Sequence, residues 1–599
     1  MSASNRELGF DPDALREKYR LERDRRVRVD GNDQYIEVKG DFANYIDDPY
    51  VAKPVAREPL TDLVDVLIVG GGFGGLLSAA RLADAGVVDV RIIEKGGDFG
   101  GTWYWNRYPG AQCDIEAYIY LPLLEEVGYM PSQKYVYAPE ILQHASAIGQ
   151  KYGLYDKACF QTEVTDLTWN EADRTWLATT NRGDSMRAKF VVMSNGPLNR
   201  PKLPGITGID EFQGHTFHTS RWDYDYTGGD STGGLRKLAD KRVGIIGTGA
   251  TAVQCVPHVG EWAKSLHVFQ RTPSSIDVRG NKPTDPDWAK GLEAGWQKHR
   301  MENFNALVSG GIAPEDLVND GWTDIIRNLL ILVQEDSQQE LTLDAMMAKM
   351  EVADFQKMNQ IRARADALVN DEATAQALKP WYRQFCKRPC FHDDYLATFN
   401  RPNVTLVDTQ GQGVDRVTPT GIVANGEAIE LDCIIFATGF EVGTEYTRRS
   451  GYDLQGREDL RLSAKWASGV RTLHGLQTRG FPNCFFLGNT QTGFTVNFPH
   501  MLEEQSQHVA HIIRHTTAHN YGAVEVTPAG EQAWVDTIIA KATMAMQFFE
   551  DCTPGYYNNE GRPGERSGQN ANYGGGPVEF FQLLADWRAK GDFDGLEFR

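Results

Sequence analysis

Cysteine is scarce and scattered. Eight occur in 599 residues, at 113, 159, 255, 386, 390, 433, 484 and 552, and no C-x-x-C pair exists. Only Cys386 and Cys390 lie close together, with no further ligand at regular spacing. No metal site is expected, and the thiols are expected to be reduced. Positive charge is in deficit: 61 Lys and Arg against 81 Asp and Glu leave a net charge of −20. Nothing here would neutralise a phosphate backbone on a large scale, which argues against a nucleic-acid binder. Residues 1–11 lack the apolar stretch of a secretory signal. No clean apolar run of about 18 residues exists. The nearest, 63–80, is interrupted by Asp65 and five glycines. A cytoplasmic protein without a membrane partner is the expectation.

What is present is core-forming material. Hydrophobic residues make up 41% and aromatics 11%, which excludes a fibrous or wholly disordered chain. The length allows about four structural units, or fewer large ones. Residues 1–60 read as an N-terminal extension. Asp11-Pro12 starts a helix that runs to about Arg28. Its arginines and lysines interleave with acids, as on a solvated helix with ion pairs between turns.

From residue 64 the pattern changes. VDVLIVG (64–70) fits a buried parallel strand, LLSAARLADAG (76–86) a helix, and VDVRIIE (88–94) a second strand. This is a βαβ unit. A second one follows: RVGIIG (242–247), a helix in TAVQCVPHVG that Pro257 must kink or end, and SLHVFQR (265–271). The runs FVVMSNG (190–196) and IIFATGF (434–440) fit third strands of such sheets. Residues 280–385, rich in Met, Gln, Ala and Leu, read as helices inserted in the second unit. Residues 561–577 hold six glycines in seventeen residues, the composition of a mobile loop. An amphipathic helix at 578–590, stopped by Gly591, follows.

Gly70-x-Gly72-x-x-Gly75 lies between a strand and a helix. Such glycines give a tight turn, close approach of a pyrophosphate and close helix packing, with the helix N-terminus facing the anion. Glu94 ends the next strand, 24 residues after Gly70. A carboxylate there accepts from ribose hydroxyls. Gly247-x-Gly249-x-x-Ala252 repeats the fingerprint, but the residue 24 after Gly247 is Arg271. An arginine pairs with a 2′-phosphate where a carboxylate would not. The first unit is therefore expected to bind FAD and the second NADPH. The fold class is α/β: two Rossmann-like dinucleotide-binding domains, for FAD and NADP, with a helical insertion. The expected segments are the extension 1–60, a first FAD-binding segment 61–200, the NADP-binding domain 201–390 with its insertion at about 280–385, a second FAD-binding segment 391–550, and the tail 551–599.

Residues 100–114 read GGTWYWNRYPGAQCD, and residues 212–223 read FQGHTFHTSRWD. By composition, Trp103, Trp105, Tyr108, Tyr118 and Tyr120 fit either a flavin wall or core. Phe212-x-Gly214-x-x-x-His218-x-x-x-Trp222-Asp223 resembles the fingerprint of type I Baeyer–Villiger monooxygenases. Gly100-Gly101-x-Trp103 through Tyr108-Pro109-Gly110 to Asp114 resembles their second motif. The resemblance covers roughly 60–550, and the ends resemble the longer members, those similar to cyclopentadecanone monooxygenase.

The resemblance implies oxygenation of a ketone through a C4a-peroxyflavin, giving an ester or lactone, with NADPH and O₂ consumed. It implies that Arg388 of Cys386-Lys387-Arg388-Pro389-Cys390 stabilises the peroxide and the adduct with the ketone, and that Asp114 positions Arg388. It implies that Lys387 joins Arg271 and Thr272 on the 2′-phosphate. Thr248, Gly249, Ala250 and Gln254 would meet the pyrophosphate and nicotinamide side, and Thr102, Trp103, Tyr108 and Tyr120 the flavin. Phe212, Gly214, His218 and Trp222 are read as coupling the two domains, with His218 kept off the acid–base list. Residues 280–385, 441–460 and 489–499 are expected to line a pocket for bulky cyclic ketones, which the glycine-rich tail closes. Two other readings stand beside this one: a flavin monooxygenase of sulfur or nitrogen centres, and a redox-sensing FAD/NADPH protein without turnover.

Overall fold

The computed structural model describes residues 8–311, 313–324, 343–562, 564 and 566–599. Stretches of two expected segments, 1–7 of the extension and 325–342 of the insertion, lie outside the described residues. The strand Leu63–Val69 stands inside an eight-stranded sheet, parallel to Val90–Ile93 on one side and to Ser185–Met193 on the other. Val66, Leu67 and Ile68 are fully buried, the burial on both faces that an uninterrupted apolar run requires. The helix Phe73–Asp84 covers one face, and the helix Phe498–Ala518 packs on it.

The second sheet has five strands, all parallel, in the order Val404–Asp408, Ser265–Gln270, Arg242–Ile246, Cys433–Phe436, His215–His218. Cys433–Phe436 is the strand expected from the apolar run at 434–440. Because it pairs with Arg242–Ile246, the chain returns to the first sheet only after Phe436, later than the boundary expected at 391. The helix Ala250–Trp262 continues through Pro257 instead of ending there. Proline costs it one backbone hydrogen bond, and the burial of Ala252, Val253, Val256 and Val259 holds the helix together.

The N-terminal helix, Pro12–Asp24, starts under Asp11, whose side chain accepts from the N–H of Asp13 and Ala14. It ends before Arg28. Ion pairs between turns are present, as in Lys18–Glu22 at 2.9 Å and Arg20–Asp24 at 2.8 Å. One face, however, docks on the helix Leu343–Leu368. Tyr19 is buried against Phe355 and accepts from Arg362, and Arg16 pairs with Glu351 at 2.8 Å. The glycine-rich stretch is also tied down. Gln491 donates to the Gln569 carbonyl at 2.8 Å, and the Tyr573 N–H donates to Thr492 at 2.9 Å. A helix over Gly576–Lys590 follows and buries Phe580 and Leu584. Among the described residues no helix is long and apolar enough to cross a membrane.

Candidate active site

A single cavity of about 840 Å³ joins the two fingerprints. On its first side Gly70 has φ +110°, and a Cβ there would lie 2.2 Å from the Ser194 carbonyl oxygen. A Cβ on Gly75 would lie 1.9 Å from the Gly70 oxygen. Only glycine fits either place. Gly72 caps the helix Phe73–Asp84 without a side-chain bond, so first-turn N–H groups remain for an anion. Glu94 accepts from the N–H of Gly71 at 2.7 Å and of Gly96 at 2.6 Å. Burial pushes its carboxyl above the usual range, against those two bonds. A carboxylate has about four acceptor positions, so acceptors remain for two ribose hydroxyls. These features fit FAD.

The second side repeats the plan. A Cβ on Gly247 would lie 2.5 Å from the Ala437 oxygen, whereas one on Gly249 would meet nothing within 4 Å. The helix that starts at Ala250 again lacks a side-chain cap. The Thr248 hydroxyl donates to the Thr272 carbonyl at 2.7 Å, fixing the turn. Beyond it Arg271, Thr272 and Lys387 line the cavity. The Thr272 hydroxyl is buried without a hydrogen-bond partner. Burial, then the charge of Arg271, pulls the Lys387 ammonium down to about 8. An unpartnered hydroxyl beside two cations fits the 2′-phosphate of NADPH.

Between the two sides stands an ion cluster. Asp114, 2% exposed, receives Arg388 at 3.0 Å on one oxygen and Arg279 on the other. Burial disfavours the Arg388 charge, but Asp114 outweighs it and holds the pKa above the ordinary value. Arg279 also donates to the carbonyls of Cys113 and Phe391, each at 2.7 Å. Tyr108 donates to Gln254 Oε1 at 2.8 Å, and Gln254 donates to the Gln112 carbonyl at 2.8 Å. The motif after the first unit is thereby latched to the helix of the second. Trp103 donates to the Tyr120 hydroxyl at 3.0 Å, and both rings line the cavity with Thr102.

The 212–223 motif lies at the edge of the second sheet. Phe212 packs on that sheet's core, and a Cβ on Gly214 would lie 2.7 Å from the Asp432 oxygen. Trp222 is buried and donates to Thr227 at 3.1 Å. His218 Nδ1 accepts from the Ser220 N–H at 3.2 Å, and burial, then Arg221, pulls its imidazole down to about 3. The ring is neutral and serves as a cap. Arg221 spans the segments: its guanidinium lies 3.9 Å from the Trp105 ring centre and donates to the Asp47 carbonyl at 3.1 Å.

Three expectations change. Cys386 is joined to Cys552, 166 residues away, so these two thiols are not reduced, as they were expected to be. Proximity in sequence is no guide to a pair that folding brings together. No described residue of 280–385 lines the cavity, whereas Val442, Tyr446, Phe494 and Val496 do. The tail reaches the cavity through Gly555, Tyr556, Tyr557 and Glu560, ahead of the glycine-rich stretch. Sequence reasoning missed Arg279, Arg221 and Glu560. Arg221 stood inside the motif, in one of its unspecified positions.

The chain matches the model of an NAD(P)-binding Rossmann-like domain over residues 68–128. It is similar over almost its whole length to several named proteins. Neopentalenolactone D synthase of Streptomyces avermitilis is 55% identical over 98% of this chain and 99% of its own. Baeyer–Villiger monooxygenase ATR8 of Stachybotrys chlorohalonatus is 50% identical over 98% of this chain and 95% of its own. The solved structure of a polycyclic ketone monooxygenase from Thermothelomyces thermophila superposes with a TM-score of 0.90 at 37% identity, covering 98% of this chain and 99% of that one.

Proposed function

This chain belongs to the Baeyer–Villiger monooxygenases, and we propose that within that family it oxygenates a polycyclic ketone, with Arg388 as the catalytic cation and Asp114 as its anchor. The enzyme contains FAD, uses NADPH and O₂, and converts ketones to esters or lactones. FAD, once reduced by NADPH, supplies the oxygen-activating chemistry. The chain supplies position, charge and exclusion of water. In this reading Gly70, Gly72, Gly75, Glu94, Thr102, Trp103, Tyr108 and Tyr120 hold FAD. Gly247, Thr248, Gly249, Ala250, Gln254, Arg271, Thr272 and Lys387 hold NADPH. Phe212, Gly214, His218 and Trp222 keep the two domains in step. The enzyme works in the cytoplasm, where NADPH is regenerated.

One observation carries the assignment. Arg388 is 41% exposed into the cavity while the carboxylate that holds it is 2% exposed. One end of the guanidinium is anchored, and the remaining donors face the space where a ketone would stand. A permanent cation stabilises negative charge developing on the carbonyl oxygen, the more so once a bound ketone excludes water. Arg279 gives the anchor a second neutralising partner fixed to backbone carbonyls. Arg388 can therefore move away without leaving a bare buried carboxylate. The polycyclic substrate class rests on the names of the relatives and on aromatic and branched walls at Tyr120, Phe494, Val496 and Tyr556. The test is R388A on the FAD-loaded enzyme. Lactone formation should fall by about 10²–10³, the usual cost of one donor to a developing oxyanion. NADPH oxidation should persist, with hydrogen peroxide replacing the lactone. Lactone formed by R388A at the parent rate would overturn the assignment, and equal kcat/KM for cyclohexanone and for fused-ring ketones would overturn the substrate class.

A further inference from the structure

Glu560 stands where a carboxylate should not be. It is 3% exposed and lines the cavity beside the cations assigned above to the 2′-phosphate. One oxygen pairs with Arg271 at 3.2 Å, and the other accepts from the Tyr35 hydroxyl at 3.1 Å. Lys202 and Lys387 also act on it. Arg271, Lys202 and Lys387 therefore all act on this one acid, and buried Glu441 also acts on Lys202. The backbone shows what holds the acid there. Glu560 has φ +56° and Asn559 φ +51°, two consecutive non-glycine residues in the left-handed region. Asparagine adopts that region readily, but glutamate holds it only where the surroundings impose it. The turn is held from behind, where Asn558 accepts from the Gly555 N–H at 3.0 Å and donates to the Cys552 carbonyl at 3.0 Å. From the front Gln34 accepts from Arg271 at 2.5 Å. The N-terminal extension and the tail thus close on one arginine from opposite sides.

We propose that Glu560 is a built-in counter-anion of the 2′-phosphate subsite, and that NADPH binds by exchanging its phosphate for this carboxylate. The proposal rests on the reading of Arg271, Thr272 and Lys387 as that subsite. Two consequences follow. First, the carboxylate keeps buried cations paired in the free enzyme, at a cost in affinity for the phosphate, because like charges brought together repel. Second, the exchange frees the Asn559–Glu560 turn, strained at Glu560. That turn lies three residues beyond Tyr556, which lines the same cavity as Arg388.

The test is calorimetric binding to the FAD-loaded enzyme with two probes, adenosine 2′,5′-bisphosphate and adenosine 5′-monophosphate. E560Q keeps the shape and removes the charge. It should tighten the bisphosphate by about tenfold, the scale of one removed like-charge contact, and leave the monophosphate unchanged. Y35F, which takes away a donor to the acid and keeps the ring over which Lys202 lies at 3.6 Å, should tighten the bisphosphate by a smaller factor. Unchanged or weaker bisphosphate binding in folded, FAD-loaded E560Q would overturn the exchange. R271A separates the two readings: it should weaken only the bisphosphate. Equal weakening of both probes by R271A would instead remove the 2′-phosphate subsite itself.

Discussion

Asp114 carries two guanidiniums at once, so D114N is the most informative single change. Asparagine is nearly isosteric, keeps a carbonyl acceptor, and removes the charge. Unit charges about 4 Å apart attract by about 4 kcal/mol at an effective dielectric near 20. The full figure does not apply to Arg388, which is 41% exposed and screened by solvent. It applies better to Arg279, whose side chain is 4% exposed. Stripping one partner from a buried pair costs about 3–5 kcal/mol, because the other charge is left uncompensated. Arg279 and Arg388 would then face each other across a neutral amide. At about 2–4 °C per kcal/mol for a domain of moderate size, the FAD-loaded variant should melt about 6–20 °C below the parent. The functional effect should be separate from the melting loss. With its anchor gone, Arg388 no longer rests at one place, so the ratio of lactone formed to NADPH consumed should fall well below the parent value. D114E, which retains the charge, should recover most of the melting temperature. The assay is a flavin-fluorescence melt beside a product-to-NADPH ratio at one temperature below both transitions. A D114N enzyme that melts with the parent and couples as well as the parent would refute the idea that Asp114 pins the arginines.

Two further changes test other regions of the site. Lys387 is held near 8 in the free enzyme, below the usual lysine value, and a bound phosphate restores its proton. Affinity for adenosine 2′,5′-bisphosphate should therefore be full below pH 8 and decline as pH rises through it. The free enzyme's stability moves the opposite way between that pH and the ordinary lysine pKa, because there the unfolded chain holds the extra proton. K387M should bind weakly and show no such decline in titrations from pH 7 to about 9.5; a parent-like slope in K387M would assign the titration elsewhere. C552S removes the bond that closes 166 residues beside Lys387 and Arg388. Loop-closure arguments put its contribution at about 2–5 kcal/mol. The variant should melt several degrees lower in non-reducing buffer, and dithiothreitol should lower the parent but not C552S. A melt of the parent that dithiothreitol leaves unmoved would argue against the bond's contribution.

Local pattern goes far in this chain, and where it stops has a physical reason. The two βαβ units are legible because every requirement sits within about thirty residues. An apolar run ends in glycine, a helix opens on free N–H groups, and a carboxylate or an arginine closes the next strand. Those demands fall on neighbours in sequence, so Gly70, Glu94, Gly247 and Arg271 can be named without coordinates. Arg388 is different. By local pattern it is one arginine beside a proline, and only the family resemblance singles it out. The residues that hold and modulate these positions have no local signature at all. Arg279 reaches Asp114 across 165 positions, Glu560 reaches Arg271 across 289, and Cys552 reaches Cys386 across 166. Each is decided by how the second sheet lies on the first and by where the two chain ends return. Strand pairing explains the misplaced boundary in the same way. The run at 434–440 reads as a third strand of some sheet, but whether it completes the first or the second depends on a partner at Arg242–Ile246. The chemistry of binding is written in short motifs. The control of that chemistry, through a carboxylate that keeps cations paired and an arginine that keeps a carboxylate paired, is written in contacts that only the folded chain makes.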